Sequence, residues 1–389
     1  MAVLFAGPAP AAWADDVQAH QWYLNAMNAQ GLWKVSTGKG ITVAVIDSGV
    51  NSGTKALSGQ VLPGVDFSGK TGGAAGDSLS HGTSMAELIA GTGDDNGLKG
   101  VAPGAKIMPI RLPDDSATAK AGDPTAKAIR AAADSDAKII NMSFGSDAPI
   151  PGGLEAVQYA QSKGKLLIAS VGNDAQGANY IGYPAKYPGV VGVAATDENG
   201  EVGKFSEHGA YVDLASPGVD VPVWCDNTFK TYCAKSTGTS QAAAITSGAA
   251  ALIWAAHPKW TANQVLRVMI DTAGRDWPKN TPSQYLGYGT IRPAQVLLKG
   301  KGDPGPADID PLTNKKTIGV SAVAGASPST SASDSSQASK STSGGRTSAE
   351  GSTSTSSGDT TLWVVLGTVA ATVVLAGGAF AVIRSRRGA

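Results

Sequence analysis

Short runs of apolar and β-branched residues alternate with segments typical of helices through the first three quarters of the chain. Four runs indicate strands that are buried on both faces, and they cover residues 40–46, 138–143, 165–171 and 190–194. Four other segments are typical of helices, and they cover residues 82–90, 125–133, 154–162 and 241–256. This alternation predicts an α/β fold of three layers, with a mostly parallel central sheet and helices on both faces.

Composition narrows the class of protein without changing this fold. The 389 residues include 31 Lys and Arg and 31 Asp and Glu, so the chain has no net charge. A neutral chain lacks the basic surface that nucleic acid requires, and we expect no nucleic-acid partner. Residues 40–300 are predicted to form the main globular domain, which follows an N-terminal extension at residues 15–39.

The N-terminal residues have the composition of an export signal. Residues 1–14 are small and apolar and end in Ala12-Trp13-Ala14, which resembles a signal-peptidase site. Because no basic region precedes the apolar stretch, we expect the true start of this signal peptide to lie upstream of Met1. The alternative is a disordered tail rich in Ala and Pro.

The C-terminal residues predict a membrane anchor. Residues 361–383 form an uncharged apolar run, and about 22 residues at ~1.5 Å each would cross a ~30 Å hydrocarbon core. Three arginines in the tail at residues 384–389 predict that this end is cytoplasmic. Residues 301–360, first Pro- and Gly-rich and then Ser- and Thr-rich, are predicted to be a disordered linker. The chain is therefore expected to cross the cell membrane once, with its globular domain extracytoplasmic.

Four polar motifs lie where the predicted sheet would bring them to one edge. In chain order they are Val45-Ile46-Asp47-Ser48-Gly49, His81-Gly82-Thr83, Ser170-Val171-Gly172-Asn173 and Gly238-Thr239-Ser240. Asp47 and Asn173 end predicted strands, and active sites of parallel sheets gather at the carboxyl ends of strands. His81 and Ser240 begin predicted helices. An acid, a base and a nucleophile in this order are the parts of a triad that transfers acyl groups, and the amide between the base and the nucleophile would be an oxyanion donor.

Each of these residues has a chemical role that its setting favours. Ser240 needs a base to take its proton, and His81 supplies one. Asp47 would orient the His81 imidazole and stabilise it when protonated. Asn173 would donate its side-chain amide to the oxyanion, which the positive end of the helix after Ser240 also stabilises.

Taken singly, the same residues have ordinary structural interpretations. Serine or histidine before a helix is commonly a cap, and Asp or Asn after a strand commonly forms a turn. Asp66 and Asp77 are alternatives to Asp47, but neither follows a buried apolar strand. The remaining histidines, interpreted as structural or surface residues, are His20, His208 and His257. Ala242 stands where a Gly-x-Ser-x-Gly elbow requires glycine, which argues against an α/β-hydrolase.

Two further features complete the predicted site. Ser143-Phe144-Gly145 follows a predicted strand and could pair with the main chain of an extended peptide, although an ordinary strand-to-loop junction has the same pattern. Cys225 and Cys233 are the only cysteines, and in an exported protein they are expected to form a disulfide. A metal site is not expected there, since two cysteines without nearby histidines cannot complete four ligands.

From Gln21-Trp22-Tyr23 to Tyr288-Gly289-Thr290 the sequence resembles the subtilase family of serine proteases, and it is most similar to the mycosins, the membrane-anchored subtilases of type VII secretion systems in actinobacteria. The resemblance implies the subtilisin-like fold, the triad Asp47, His81 and Ser240, and Asn173 as oxyanion donor. Ala244 departs from the family pattern, which has proline there, and Ser48 replaces the usual threonine. Neither change removes a reacting group.

These observations together predict an extracytoplasmic, membrane-anchored serine endopeptidase. Its expected partners are protein or peptide substrates, the membrane, and membrane components of type VII secretion. No cofactor is expected. The sequence does not exclude a structural Ca²⁺ ion, for which Asp94-Asp95-Asn96 is a faint candidate site. Two alternatives remain: a scaffold that stabilises a secretion complex with limited proteolysis, and a general degradative protease of the cell surface.

Overall fold

A seven-stranded sheet forms the centre of the structure, a computed structural model that describes residues 16–114, 124–180 and 182–319. Its strands are β1 (Thr42–Asp47), β2 (Val65–Asp66), β3 (Lys106–Arg111), β4 (Ile139–Met142), β5 (Leu166–Ser170), β6 (Val190–Thr196) and β7 (Leu214–Pro217). They lie in the order β2-β3-β1-β4-β5-β6-β7, and every neighbouring pair is parallel. A separate antiparallel hairpin consists of β8 (Val221–Trp224) and β9 (Tyr232–Ser236).

Eight α-helices accompany the strands in the described ranges. They are α1 (Trp22–Ala26), α2 (Ala29–Trp33), α3 (His81–Ala90), α4 (Thr125–Asp134), α5 (Gly153–Ser162), α6 (Thr239–Ala256), α7 (Ala262–Thr272) and α8 (Pro293–Leu297). Side chains of β1 alternate between two apolar clusters: Val43 and Val45 join α3, α6 and α7, and Ala44 and Ile46 join α4 and α5. This alternation follows from the two-residue period of a strand and confirms the predicted three layers.

Helix α6 is buried along almost its whole length. Sixteen of its 18 residues are buried, and it packs on β4, β5, β6 and β7 as well as on α3. Ala, Gly, Ser and Thr along the helix allow this close approach to several neighbours. At Gly248 a β-carbon would lie 2.8 Å from Val101 Cβ, so even alanine would crowd the contact.

Every predicted element corresponds to an observed one, but nine of the observed strands and helices are missing from the prediction. The four predicted strands are β1, β4, β5 and β6, and the four predicted helices are α3, α4, α5 and α6. The apolar pattern did not identify the strands β2, β3, β7, β8 and β9 or the helices α1, α2, α7 and α8. Pro109 lies inside β3 and Pro217 ends β7, and proline argues against a strand in a sequence.

The N-terminal extension is part of the globular unit. Helices α1 and α2 bury Tyr23 and Leu32 completely in the apolar cluster that contains α6. The Trp33 indole donates to the Val101 carbonyl at 2.9 Å.

The predicted linker begins too early, because residues 301–319 pack on α5 and α7. Arg267 Nη2 donates to the Ile309 carbonyl at 2.7 Å, and Asn263 Nδ2 donates to the Ala307 carbonyl at 3.1 Å. Asp310 is 5% exposed and accepts a hydrogen bond from Gln161 at 3.0 Å. The boundary drawn at residue 300 is therefore wrong, and the globular unit reaches at least residue 319.

The predicted signal peptide at residues 1–14, the rest of the linker, the transmembrane helix at residues 361–383 and the tail at residues 384–389 lie outside the described residues. Within the described ranges, no helix combines the length and the apolar character that crossing a bilayer would need.

Replacement of Asp310 by alanine should destabilise the domain by about 1–3 kcal/mol, because it leaves partly buried donors unpaired. Besides Gln161, the backbone amides of Leu312 and Thr313 donate to this carboxylate, at 2.8 Å and 3.2 Å. Denaturant unfolding of the variant measures the loss.

The matched control for this experiment is Lys316→Ala, which breaks the exposed Lys316–Asp308 ion pair of the same segment. Such a pair contributes at most about 1 kcal/mol. An Asp310→Ala protein as stable as the control would contradict the packing of residues 301–319.

Candidate active site

The end of β1 and the start of α3 bring Asp47 and His81 into contact. His81 Nδ1 lies 2.8 Å from Asp47 Oδ1. Since a carboxylate only accepts, Nδ1 carries the proton and the neutral ring presents Nε2 as an acceptor. The Asp47 side chain is 5% exposed and that of His81 is 38% exposed. The acid is thus buried behind a base that solvent or a substrate can reach.

Local backbone geometry fixes this pair. The Ser48 amide donates to the same Asp47 Oδ1 at 2.8 Å. Gly82 follows His81, and a β-carbon there would lie 2.1 Å from the Gly49 carbonyl oxygen. Only glycine therefore lets α3 begin so close to the end of β1.

Asp77 has a supporting place that the sequence analysis did not assign. Its carboxylate accepts from the Ser48 hydroxyl at 2.8 Å, and from the Thr83 amide and hydroxyl at 2.9 Å and 2.6 Å. An acidic group at the start of a helix is favourable because free amides point toward it. Asp77 thus links the β1 end to the first turn of α3, whereas Asp66, within the described residues, accepts only from the nearby Ser68 amide.

Electrostatics keep the His81 imidazole basic. Burial lowers the pKa of His81, but the charge and hydrogen bond of Asp47 together with the charge of Asp77 outweigh that effect. The pKa of His81 is therefore raised above its ordinary value of 6.5. The protonated ring is the form that the two carboxylates stabilise.

Ser240 is the second residue of α6 and bonds to the end of β4. Its hydroxyl donates to the Ser143 carbonyl at 3.1 Å, and the Ser143 hydroxyl donates to the Ser240 carbonyl at 3.1 Å. Among the described residues, no hydrogen bond joins Ser240 to His81. Such bonds commonly tighten only when substrate is bound. The Ser240 amide lies in the first helical turn, where N–H groups lack intrahelical acceptors.

Buried polar side chains hold the Ser143 end of this contact. Ser247 donates to Asn141 Oδ1 at 2.9 Å, and Asn141 Nδ2 donates to Ser143 Oγ at 2.9 Å. Asn141 and Ser247 are completely buried. Because every member has a partner, the network fixes α6 against β4.

Asn173 is held at its oxygen and free at its nitrogen. Its Oδ1 accepts from the Thr239 amide and from the Thr239 hydroxyl, both at 2.9 Å. Two donors on one atom identify that atom as oxygen, so Nδ2 points away from Thr239. In the described part of the chain Nδ2 has no acceptor, and the residue is exposed.

Within residues 143–145, one side chain has a structural role and two backbone amides are unpaired among the described residues. The Ser143 side chain belongs to the contact with α6. The amides of Phe144 and Gly145 have no acceptor among the described residues, and the strand-like pairing of Ser146 with Tyr183 begins one residue later. Backbone donors therefore remain available beside Ser240.

The predicted disulfide is confirmed and closes the β8–β9 hairpin. Cys225 and Cys233 are bonded. Between them and α3, the Tyr232 ring stacks on Trp224 at 3.7 Å, and its hydroxyl donates to Glu87 at 2.8 Å. Burial raises the pKa of Glu87 to about 7. The hairpin is thus attached to the helix that begins with His81.

The other candidates lie apart from this site. His208 stacks on Tyr285 and His257 stacks on Trp260, and His20 ends a short 3₁₀ turn. Residues Asp94–Asn96 form another 3₁₀ turn. In residues 16–114, 124–180 and 182–319, no group of three His, Cys, Asp or Glu side chains could hold a metal ion.

Comparison with known sequences finds relatives over most of the domain. The model of the Subtilase family matches residues 38–289. Thermitase of Thermoactinomyces vulgaris is 33% identical over 267 residues, which cover 67% of this chain and 92% of thermitase. Subtilisin Savinase of Lederbergia lenta is 33% identical over 244 residues, covering 61% of this chain and 84% of that protein.

Solved structures agree with the sequence comparison. MycP1 from Mycobacterium smegmatis superposes with a TM-score of 0.62 at 27% identity, over 74% of this chain and 86% of that structure. The MycP3 protease from the type VII (ESX-3) secretion system superposes with a TM-score of 0.59 at 28% identity, over 76% and 90% of the two chains.

Replacement of Asp77 by asparagine should lower the pKa of His81, because it removes one of the negative charges that stabilise the protonated ring. An NMR titration of the His81 ring protons measures the change, and the wild-type midpoint should lie above 6.5. Asp66→Asn is the matched control and should leave the midpoint in place. An unchanged midpoint in Asp77→Asn would show that Asp77 has no electrostatic effect on His81.

Proposed function

Because the chain belongs to the subtilase family and is a serine endopeptidase, we propose that Ser240, His81 and Asp47 are its nucleophile, general base and orienting acid. The observation that carries this proposal is the 2.8 Å contact of Asp47 with His81 Nδ1, which leaves Nε2 as the acceptor.

The proposed reaction begins when Ser240 Oγ attacks the scissile carbonyl carbon. His81 Nε2 takes the hydroxyl proton and gives it to the leaving amine, and the acyl group stays on Ser240. Water then repeats the sequence with His81 as base and frees the carboxylate product. Asp47 keeps the ring oriented through both steps and stabilises the imidazolium without accepting its proton.

The oxyanion would form between two sets of donors. Asn173 Nδ2 is the first, since the two bonds from Thr239 turn it away from the helix. The Ser240 amide at the start of α6 is the second. One such side-chain donor is worth about 2.7–4 kcal/mol in the transition state. We propose that substrate pairs with the open backbone of Phe144 and Gly145 as an extended strand.

A membrane-bound role in secretion is the finer part of the proposal. Its support is the similarity to MycP1 and MycP3, the latter a protease of a type VII secretion system, and the apolar run at residues 361–383 in the sequence. The proposed enzyme processes proteins linked to type VII secretion from the outer side of the cell membrane. One anchor and a long linker would let the domain search for substrates near the bilayer.

The second candidate function is a scaffold within a secretion complex. The observation that favours it is the Ser240 hydroxyl, which donates to the Ser143 carbonyl instead of to His81. A site in this state needs a rearrangement of one side chain before attack. In the scaffold interpretation, the domain would stabilise the complex whether or not this rearrangement occurs.

A fluorophosphonate probe should label the wild-type chain and fail to label Ser240→Ala or His81→Ala, because phosphonylation needs both the nucleophile and its base. In-gel fluorescence measures the labelling, and Ser84→Ala, which changes a buried serine of α3, is the matched control. Equal labelling of Ser240→Ala would exclude Ser240 as the nucleophile.

Gene replacement in the source organism separates protease from scaffold. For the protease proposal, Ser240→Ala should abolish both substrate cleavage and secretion, and a chain ending at residue 359 should lose its membrane association. Immunoblots of cells and culture medium measure both effects. Secretion that survives in Ser240→Ala while cleavage is lost would favour the scaffold.

A further inference from the structure

The backbone on both sides of Asn173 is bonded to one short segment after β6. We call residues 172–175 the Asn173 loop. The Glu207 amide donates to the Gly172 carbonyl at 3.1 Å, and the Ala175 amide donates to the Phe205 carbonyl at 3.1 Å. The third bond comes from a side chain: the Asp174 amide donates to Glu207 Oε1 at 3.1 Å.

The Glu207 carboxylate also touches the residue before Asn173. A β-carbon on Gly172 would lie 2.2 Å from Glu207 Oε2, and Gly172 has a φ of +115°. Both the space and the backbone conformation therefore require glycine at this position. The carboxylate lies against residue 172 and accepts from residue 174, so it spans the backbone that carries Asn173.

Such a carboxylate is a costly way to hold a loop. Glu207 is 5% exposed, and its Oε2 is buried without a hydrogen-bond partner among the described residues. Burial raises the pKa of Glu207 to about 6, and the charge of Asp174 adds to that effect. Burying an ionisable group costs free energy, and Glu207 contacts the residues on either side of a predicted oxyanion donor. This combination indicates a use beyond packing.

We propose that Glu207 is a positioning residue for peptide-bond hydrolysis, which holds the Asn173 loop so that Asn173 Nδ2 faces the developing oxyanion. The inference rests on the proposed role of Asn173. From the α6 side, Thr239 holds the Asn173 side-chain oxygen and accepts from the Gly172 amide. From the β6 side, the Glu207 carboxylate holds the Asp174 amide. Thr239 thus fixes the side chain of Asn173, and Glu207 fixes the residues on either side of it. Both matter because an oxyanion donor must be fixed before the charge develops.

The test separates the length of the side chain at position 207 from its charge. Glu207→Asp keeps the charge but shortens the side chain by about 1.5 Å, so it loses the bond from the Asp174 amide. Glu207→Gln keeps an oxygen at the right distance and loses the charge. With the full chain and a tetrapeptide p-nitroanilide, Glu207→Asp should lower kcat about tenfold with KM nearly unchanged, because the affected interaction is made only in the transition state.

Glu207→Gln should retain most of the wild-type kcat, and Glu201→Gln, at an exposed position, is the matched control. Thermal melting of each variant shows whether it is folded. Equal losses of kcat in the Asp and Gln variants, or a rise of KM with kcat unchanged, would overturn the proposal.

A double-mutant cycle with Asn173→Ala decides whether Glu207 acts through Asn173. Asn173→Ala alone should lower kcat by about 10²–10³, and adding Glu207→Asp should lower it no further. The same tenfold loss in both backgrounds would mean that Glu207 acts elsewhere. An Asn173→Ala protein with wild-type kcat would instead reject Asn173 as the oxyanion donor and with it this inference.

Discussion

The structure depends on how closely α6 packs on the sheet. Small residues along the helix permit contact with four strands and with α3, and Gly248 leaves no room for a β-carbon beside Val101. The start of α6 is fixed as a result, and it places Ser240 at the carboxyl ends of β4 and β5. A bulkier helix would move its N-terminus away from both strands, and the polar contacts of the site would not form.

Polar contacts then convert this packing into a site. Reciprocal bonds join Ser143 to Ser240, and Thr239 holds Asn173 from the same helical turn. On the other side of the edge, Asp77 ties the end of β1 to the first turn of α3. Each proposed catalytic group is thus supported from an element other than its own, which is how rigid scaffolds keep functional groups oriented.

The sequence predicted those parts whose signal is local. Continuous apolar runs identified β1 and β5. Asp47 at the end of β1 and Asn173 shortly after β5 lie at the expected edge. Strand β3 was not predicted because it contains Pro109. Ile107 and Arg111 form backbone hydrogen bonds on the β2 side of β3. Pro109 lies between them, so its nitrogen faces the same side, near Gly64. Strand β2 has no residue paired with Pro109, so no ladder hydrogen bond needs the N–H that proline lacks.

Residues with long-range roles could not be found in this way. Asp310 lies in a segment rich in Gly, Pro and Asp, which has the composition of a linker although it packs on two helices. Glu207 carries no motif, because its partners are backbone groups more than 30 residues away. A chain pattern records periodicity and turns, whereas such contacts depend on where the completed sheet brings the backbone.

The spacing of the site along the chain also sets when it is assembled. Asp47 and His81 come from neighbouring elements near the start of the domain, but Ser240 follows only after β4, β5, β6 and β7. A chain that folds from its N-terminus therefore holds the proposed acid and base long before it holds the proposed nucleophile. Pairings so distant in sequence form late in folding. Proteolytic activity is therefore expected only once the sheet is complete, and this order would protect the unfinished chain from its own active site.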